Sequence, residues 1–299
     1  SDVYKRQLLS LLALWPAVLT AQEISGAWDA DERVVVTDFQ RVTALARSSD
    51  RLFAATDGGL VVFSDAFERW ELPVTREDGY PTSQVLALGW DRRDATLWLA
   101  TRDGRLRQFD MAGRRWLDEL SLTGTVTRIV APSDDPAVLY VRRGNRWDAV
   151  DPFTRQTQPV GAARVNQAID RDFDLRARAE LLQDPTWDAA RAFLGRRGSE
   201  RYEITDVMPA AGVSGIYWVA TYGGFIEKYD TFSNQSEPLD YGMVGIGSAA
   251  VLATDTAVWF APAYPTDRYG VGAADPELQA WHTWIGYGFG SVDRAAPDG

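Results

Sequence analysis

Short apolar runs of four to six residues recur along this chain, each closed by Gly, Pro or Asp. The clearest is Leu52-Phe53-Ala54-Ala55-Thr56-Asp57-Gly58-Gly59-Leu60. It returns as Leu97-Trp98-Leu99-Ala100-Thr101-Arg102-Asp103-Gly104-Arg105-Leu106 and as Tyr217-Trp218-Val219-Ala220-Thr221-Tyr222-Gly223-Gly224-Phe225. Weaker copies are Leu139 to Gly144 and Val258 to Ala261. Runs of this length between turn residues predict strands buried on both faces rather than helices.

Each copy has the same surroundings. About a dozen residues earlier lies a short apolar segment: Val42 to Leu45, Val85 to Leu88, Val126 to Val130, Ile204 to Val207 and Ser248 to Leu252. After the Gly turn comes a third segment ending in an apolar or aromatic residue, often followed by Asp: Phe63, Phe109-Asp110, Val150-Asp151, Tyr229-Asp230. A fourth segment often carries Trp, at Trp70, Trp116 and Trp281. The spacings Val42 to Val85, Val85 to Val126 and Ile204 to Ile246 are 43, 41 and 42 residues. Four short strands at a period of about 40–45 residues predict the blades of a propeller. The predicted fold is therefore all-β: a β-propeller of four-stranded blades over 34–284, about five of them visible. A four-stranded sheet cannot cover its own two faces, and radial stacking buries both. The Gly pairs after Thr56 and Thr221 are expected to supply positive φ in tight hairpins.

Two stretches break the pattern. In 161–201, Val165, Ile169 and Phe173 recur at helical spacing. Asp184 followed by Pro185 starts a second predicted helix, with Trp187, Ala190, Phe193 and Leu194 on its apolar side and Gly195 at its end. The stretch 262–277 replaces a tight turn with a longer loop that includes Arg268. Blade order puts both insertions on one face of the ring, and loops on a rigid scaffold are where binding is expected. Tyr80, Arg102, Arg143 and Tyr222 sit at predicted turn tips on that face. With Arg268 they are the candidate ligand-binding residues.

At Leu97 to Asp110 and Tyr217 to Asp230 the chain resembles the periplasmic sensor propellers of two-component regulators. Asp78-Gly79-Tyr80-Pro81-Thr82-Ser83-Gln84-Val85 is similar to the loop that such repeats place before the innermost strand. The resemblance implies a propeller fold and a ligand-binding, sensor-type module. It covers 41–160 and 203–260 and is specific for fold. A lesser resemblance, to quinone-binding dehydrogenase propellers, rests on Asp110-Met111-Ala112-Gly113-Arg114-Arg115-Trp116.

The N-terminus reads separately. Leu8 to Leu19 is an apolar run of 12 followed by Thr20-Ala21-Gln22-Glu23, the pattern of a secretory signal peptide over 8–21 ending at Ala21. Residues 1–7 look like the translation of a sequencing adapter and are expected to be non-native. Residues 285–299 read as a linker or the start of a further blade. The expected location is periplasmic or extracellular.

The 12% aromatic content, with 12 Trp, suits stacked sheets. The formal charge of −11 disfavours nucleic acid as a partner. No cysteine is present, which excludes disulfides, thiolate metal sites and a cysteine nucleophile. The one histidine, His282 between Trp281 and Thr283, reads as a packed strand residue. Asp170, Asp172 and Asp174 alternate but lack the Gly and terminal Glu of a calcium loop. No Gly-rich phosphate loop is present, and neither metal nor cofactor is expected. The reading is a non-catalytic exported scaffold for a small molecule or protein partner, bound on the insertion face. The alternative is a propeller enzyme acting on carbohydrate or using a quinone, which requires paired carboxylates, or a carboxylate with His, around a pocket.

Overall fold

The computed structural model describes residues 37–132, 138–168, 194–197, 200–210, 212–239, 241–242, 248–262 and 269–286. Residues 8–21, Asp184 to Phe193, Arg268 and 287–299, on which several expectations fall, lie outside them. So does Val34 to Val36.

Five four-stranded antiparallel sheets follow one another along the chain, arranged like the blades of a propeller. Sheet one is β1 (Val42–Arg47), β2 (Arg51–Thr56), β3 (Leu60–Ser64) and β4 (Arg69–Trp70). Sheet two is β5 (Val85–Asp91), β6 (Thr96–Thr101), β7 (Arg105–Asp110) and β8 (Arg115–Ser121). Sheet three is β9 (Val126–Val130), β10 (Leu139–Arg143), β11 (Arg146–Val150) and β12 (Thr157–Val160). After helix α1 (Ala162–Ala168) and the small hairpin β13 (Arg196–Arg197) and β14 (Glu200–Arg201), sheet four is β15 (Glu203–Pro209), β16 (Ile216–Tyr222), β17 (Phe225–Asp230) and β18 (Gln235–Pro238). Sheet five is β19 (Ser248–Ala253), β20 (Val258–Pro262), β21 (Tyr269–Ala274) and β22 (Trp281–Gly286). In every sheet the strands pair in chain order.

In β1, β2, β3 and β6 the residues of both faces are buried almost throughout. One face of sheet one (Ala44, Phe53, Ala55, Val62) meets Val85, Leu88, Leu97 and Phe109 of sheet two. The other face of sheet two (Ala87, Trp98, Ala100, Leu106) meets Val126, Ile129, Leu139 and Val141 of sheet three. This two-sided burial explains why β3 and β6 are buried at every position. The repeated Thr has a local role. Thr56 Oγ1 accepts the N–H groups of Gly58 and Gly59, at 3.1 and 3.0 Å, and donates to Gly59 O at 2.7 Å. Thr221 Oγ1 likewise accepts Gly224 N–H and donates to Phe225 O.

The glycines differ from expectation. Gly223 has φ 118°, but in the first repeat neither Gly58 nor Gly59 adopts positive φ. A Cβ at Gly58 would lie 2.7 Å from Asp38 O, and one at Gly59 2.6 Å from Val74 O. Close backbone approach, not turn handedness, requires glycine there.

Closure also differs from simple succession. The remaining face of sheet one (Val42, Leu45, Leu52, Ala54) packs on Met208, Trp218, Ala220 and Ile226 of sheet four. Asp206 Oδ2 accepts Leu45 N–H at 2.8 Å, and Thr205 Oγ1 donates to Val42 O at 2.8 Å. Gln40 O accepts the N–H groups of Gly223 and Phe225, both at 3.0 Å. Sheet four therefore occupies the place of sheet one's preceding blade. Sheet five joins the same core through Phe260, Ala274 and Trp281, and Trp70 N–H donates to Gln279 O at 3.0 Å. Its first strand remains open, with Val251 60% exposed.

The insertion after sheet three covers sheet faces. Val165 of α1 is buried against Val130, Tyr140, Trp147 and Ala149 of sheet three. Leu194 is buried against Val207, Val219 and Tyr229 of sheet four. Val165 and Leu194 thus each cover the face of one sheet, a role different from decorating the binding face. The 262–277 stretch is also corrected. Its residues Tyr269–Ala274 form β21, the third strand of sheet five, so the inserted loop shrinks to the connection between β20 and β21. The Gly and Ala of Tyr269-Gly270-Val271-Gly272-Ala273-Ala274 give no strong strand signal, but β21 pairs with both β20 and β22.

Candidate functional site

Antiparallel order divides the connections between two ends. The turns from second to third strand, and the links from one sheet to the next, lie at one end. The turns within each sheet from first to second and from third to fourth strand lie at the other.

Tyr80, Arg102, Arg143 and Tyr222 belong to the first end, and the structure does not bring these four together as one site. Tyr80 is 3% exposed and donates from Oη to Thr56 O at 3.0 Å, so it braces sheets one and two and is not a turn tip. Burial holds its phenol well above the ordinary tyrosine range. Arg143 is occupied by structure: Nε meets Asp148 Oδ2 at 2.7 Å, and one terminal nitrogen donates to Thr123 O and Oγ1 at 2.6 and 3.0 Å. Tyr222 and Arg102 do approach one another, close enough for the Arg102 charge to act on the Tyr222 phenol. Tyr222 Oη donates to Asp57 Oδ2 at 3.0 Å, and Gln84 Nε2 donates to Asp57 Oδ1 at 3.3 Å. Arg41 adds a contact to Asp57 at 3.9 Å. This is a small polar cluster in which Asp57 absorbs most of the donors.

A cavity of about 710 Å³ opens at the other end, where sheets one, four and five meet. Its floor is aromatic: Phe63, Trp70, Trp218 and Trp281 all line it. These rings hold one another. Phe63 packs edge-on to Trp70 and Trp218 at centroid distances of 5.0 and 5.8 Å, and Trp281 stacks on Phe260 at 5.4 Å. Tyr241 braces Trp70 and Trp281 from behind, at 4.6 and 5.2 Å. The rim is polar, formed by Asp65, Glu68, Lys228, Glu237 and His282.

Two polar atoms on this cavity lack partners among the described residues: the indole Nε1 of Trp218, whose side chain is 2% exposed overall, and Oδ2 of Asp65. Burial raises the Asp65 carboxyl above the usual carboxylate range, against the opposing pull of Arg47 and Lys228. The Lys228 ammonium lies 5.7 Å from the Trp218 ring centroid.

Asp65 Oδ2 lacks a hydrogen-bond donor for a reason visible in the repeat. Asp110 Oδ1 accepts the N–H groups of Ala112 and Gly113, Asp151 Oδ1 those of Phe153 and Thr154, and Asp230 Oδ1 that of Phe232. These bonds close the turn from third to fourth strand. Pairing places Ser64, not Asp65, at the equivalent position: Arg51 faces Ser64 as Thr96 faces Asp110 and Ile216 faces Asp230. The first-repeat aspartate stands one residue late and is released from turn duty. His282 is on strand β22, as its neighbours suggested, but is exposed on the rim, its ring 6.1 Å from that of Trp284.

The fold and site define an all-β, propeller-type protein with a pocket between blades. No family model matches the chain, and no curated protein matches it. Solved structures similar to it include β-propellers. The Cps50 (Swd1) β-propeller domain of Myceliophteria thermophila is 11% identical, with a TM-score of 0.33 over 82% of this chain and 67% of that one. Hydrazine synthase of Kuenenia stuttgartiensis is 10% identical, with a TM-score of 0.35 over 84% of this chain and 68% of that one. The extracellular domain of BT4673, described as a putative one-component or hybrid two-component system of B. thetaiotaomicron, is 16% identical. Its TM-score is 0.31, and the match spans 81% of this chain but 27% of that one. The assignment of fold rests on the sheet order and face packing described above.

Among the described residues, no group of His, Asp and Glu has the grouping of a metal site, and no helix is long and apolar enough to cross a membrane.

Proposed function

We propose that this protein is a non-catalytic binding scaffold, exported through the 8–21 segment, whose ligand enters the cavity between sheets one, four and five. The observation that carries the reading is that cavity: a preformed, aromatic-floored space of about 710 Å³ with convergent polar groups, two of them unpartnered. Pockets of some 300–1,000 Å³ with this mixture are characteristic of small-molecule sites. A sensor-type role fits a scaffold whose pocket is shared by three blades, because a ligand there touches all three. The face carrying the 161–201 and 262–277 insertions was the first expectation, but Arg143 and Tyr80 are committed to structure there.

The test is a panel of small amines, carboxylates and saccharides titrated against intrinsic Trp fluorescence. Compounds that bind are recovered and analysed by mass spectrometry. A saturable change that Trp218→Phe diminishes, with the compound recovered unaltered, supports the reading. A flat response to the whole panel refutes it.

The enzyme reading keeps one specific support: Asp65, Glu68 and Glu237 share the rim with His282. It requires turnover of a recovered compound that Asp65→Asn abolishes while binding persists.

A further inference from the structure

The charged groups lining the cavity are unbalanced. Asp65, Glu68 and Glu237 line it with one cation, Lys228, and the buried Arg47 also acts on Asp65. The whole chain carries a formal charge of −11, so the long-range field also draws cations toward it. The aromatic floor adds an attraction of the same sign, because the face of a Trp ring carries negative potential and is the best aromatic partner for an ammonium. The protein already displays this contact. The Lys228 ammonium, on β17, lies 5.7 Å from the Trp218 centroid, inside the range for a cation–π interaction.

An acidic rim alone would say little. Two further observations point to a missing guest. Trp218 Nε1 is a buried donor with no acceptor, and leaving such a group unsatisfied is costly. Asp65 Oδ2 is an acceptor with no donor, released by its displacement from the turn position that Ser64 occupies. The indole N–H of Trp98, at the equivalent place in sheet two, is also unpaired. Trp98 is buried in the core between sheets two and three, whereas Trp218 lines the cavity, where a guest can supply the acceptor.

We infer that the cavity takes a small organic cation, an amine or quaternary ammonium carrying a hydroxyl, with its charge between Asp65 and the Trp218 face and its oxygen accepting from Trp218 Nε1. This rests on the scaffold reading above and names the ligand class for the same site. Lys228 acts as a tethered stand-in for that cation and competes with it. The rim carboxylates Glu68 and Glu237 oppose an anionic substituent, so a free amino alcohol is favoured over its phosphate ester.

Isothermal titration with choline tests this, against its neutral isostere 3,3-dimethyl-1-butanol and its ester phosphocholine. Choline is expected to bind at least tenfold more tightly than either. Asp65→Asn should weaken choline at least tenfold, and Lys228→Gln should tighten it about threefold or more. Thermal melting of each variant confirms that it folds, and Glu237→Gln, at an exposed position, gives a second reading of rim charge with a smaller loss in the same direction. Equal binding of choline and its isostere, tighter binding of phosphocholine, or weaker binding on loss of Lys228 would each overturn the inference. Failure of all amines while a saccharide or carboxylate titrates Trp218-dependent fluorescence overturns the cation but leaves the scaffold reading standing. Failure of every class overturns both.

Discussion

Replacing Arg143 with Met separates a structural arginine from a ligand-binding one. Asp148 is 0% exposed, on the middle of β11, and its Oδ2 accepts from Arg143 Nε at 2.7 Å and from Arg146 Nε at 3.3 Å. The Arg143 side chain is itself only 11% exposed, whereas that of Arg146 is 64% exposed. Solvent therefore screens the Arg146 contact, and Arg143 supplies most of the compensation for the buried carboxylate. Removing one member of a buried pair costs about 3–5 kcal/mol, because the other charge is left uncompensated. The surviving Arg146 contact places Arg143→Met at the lower end, about 3 kcal/mol. For a domain of this size that lowers Tm by roughly 6–12 °C, at about 2–4 °C per kcal/mol. The double variant Arg143→Met with Asp148→Leu removes both charges and should recover at least about 2 kcal/mol of the loss, since a buried pair is often replaceable by apolar residues of similar volume. Urea unfolding of wild type, both single variants and the double variant closes the cycle. A loss under about 1 kcal/mol for Arg143→Met, or a double variant no more stable than that single one, would refute the assignment.

Three further outcomes are expected. Because folding raises the Tyr80 phenol above its ordinary value, the stability it contributes is full below about pH 10 and declines as the pH rises through the unfolded value toward the folded one. Alkaline unfolding curves should therefore be shallower for Tyr80→Phe than for wild type. Asp206→Leu removes the acceptor of Leu45 N–H at the join between sheets one and four, and should cost about 1–3 kcal/mol in urea unfolding. Amides of 42–46 should then exchange faster than those of β6. Gly59→Ala should destabilise despite ordinary φ, because its Cβ would meet Val74 O at 2.6 Å. Normal expression and melting of that variant would show that the approach can relax.

Much of the architecture was legible because the repeat is written in two layers. Alternation in Leu97-Trp98-Leu99-Ala100 fills two different interfaces, and the Thr-Gly and Asp turn residues each close one hairpin. Such signals are local, so strand limits and pairing order could be read directly. Closure was not local. Whether sheet four or sheet five lies before sheet one depends on Met208, Trp218 and Ile226 packing against Leu45 and Leu52, contacts more than 150 residues apart. Nothing in the period distinguishes one preceding blade from another. β21 was missed for a different reason, since its two glycines and two alanines read as a loop until pairing on both edges is seen.

The same logic explains why sequence reasoning chose the turn-tip residues and passed over the cavity. In a repeat fold, a residue that conforms to the repeat is already employed by it. Tyr80 holds Thr56 O, Arg143 holds Asp148, and Asp110, Asp151 and Asp230 hold their turns. A side chain is released for other chemistry where the repeat is broken while the backbone still follows it. Asp65 meets that condition: Ser64 holds the repeat position, β3 and β4 still pair through Phe63 and Trp70, and the neighbouring carboxylate lines the cavity with its Oδ2 lacking a hydrogen-bond donor. The signal was present in the sequence as an aspartate one place late after Phe63. It acquires meaning only when strand register shows which residue is out of step.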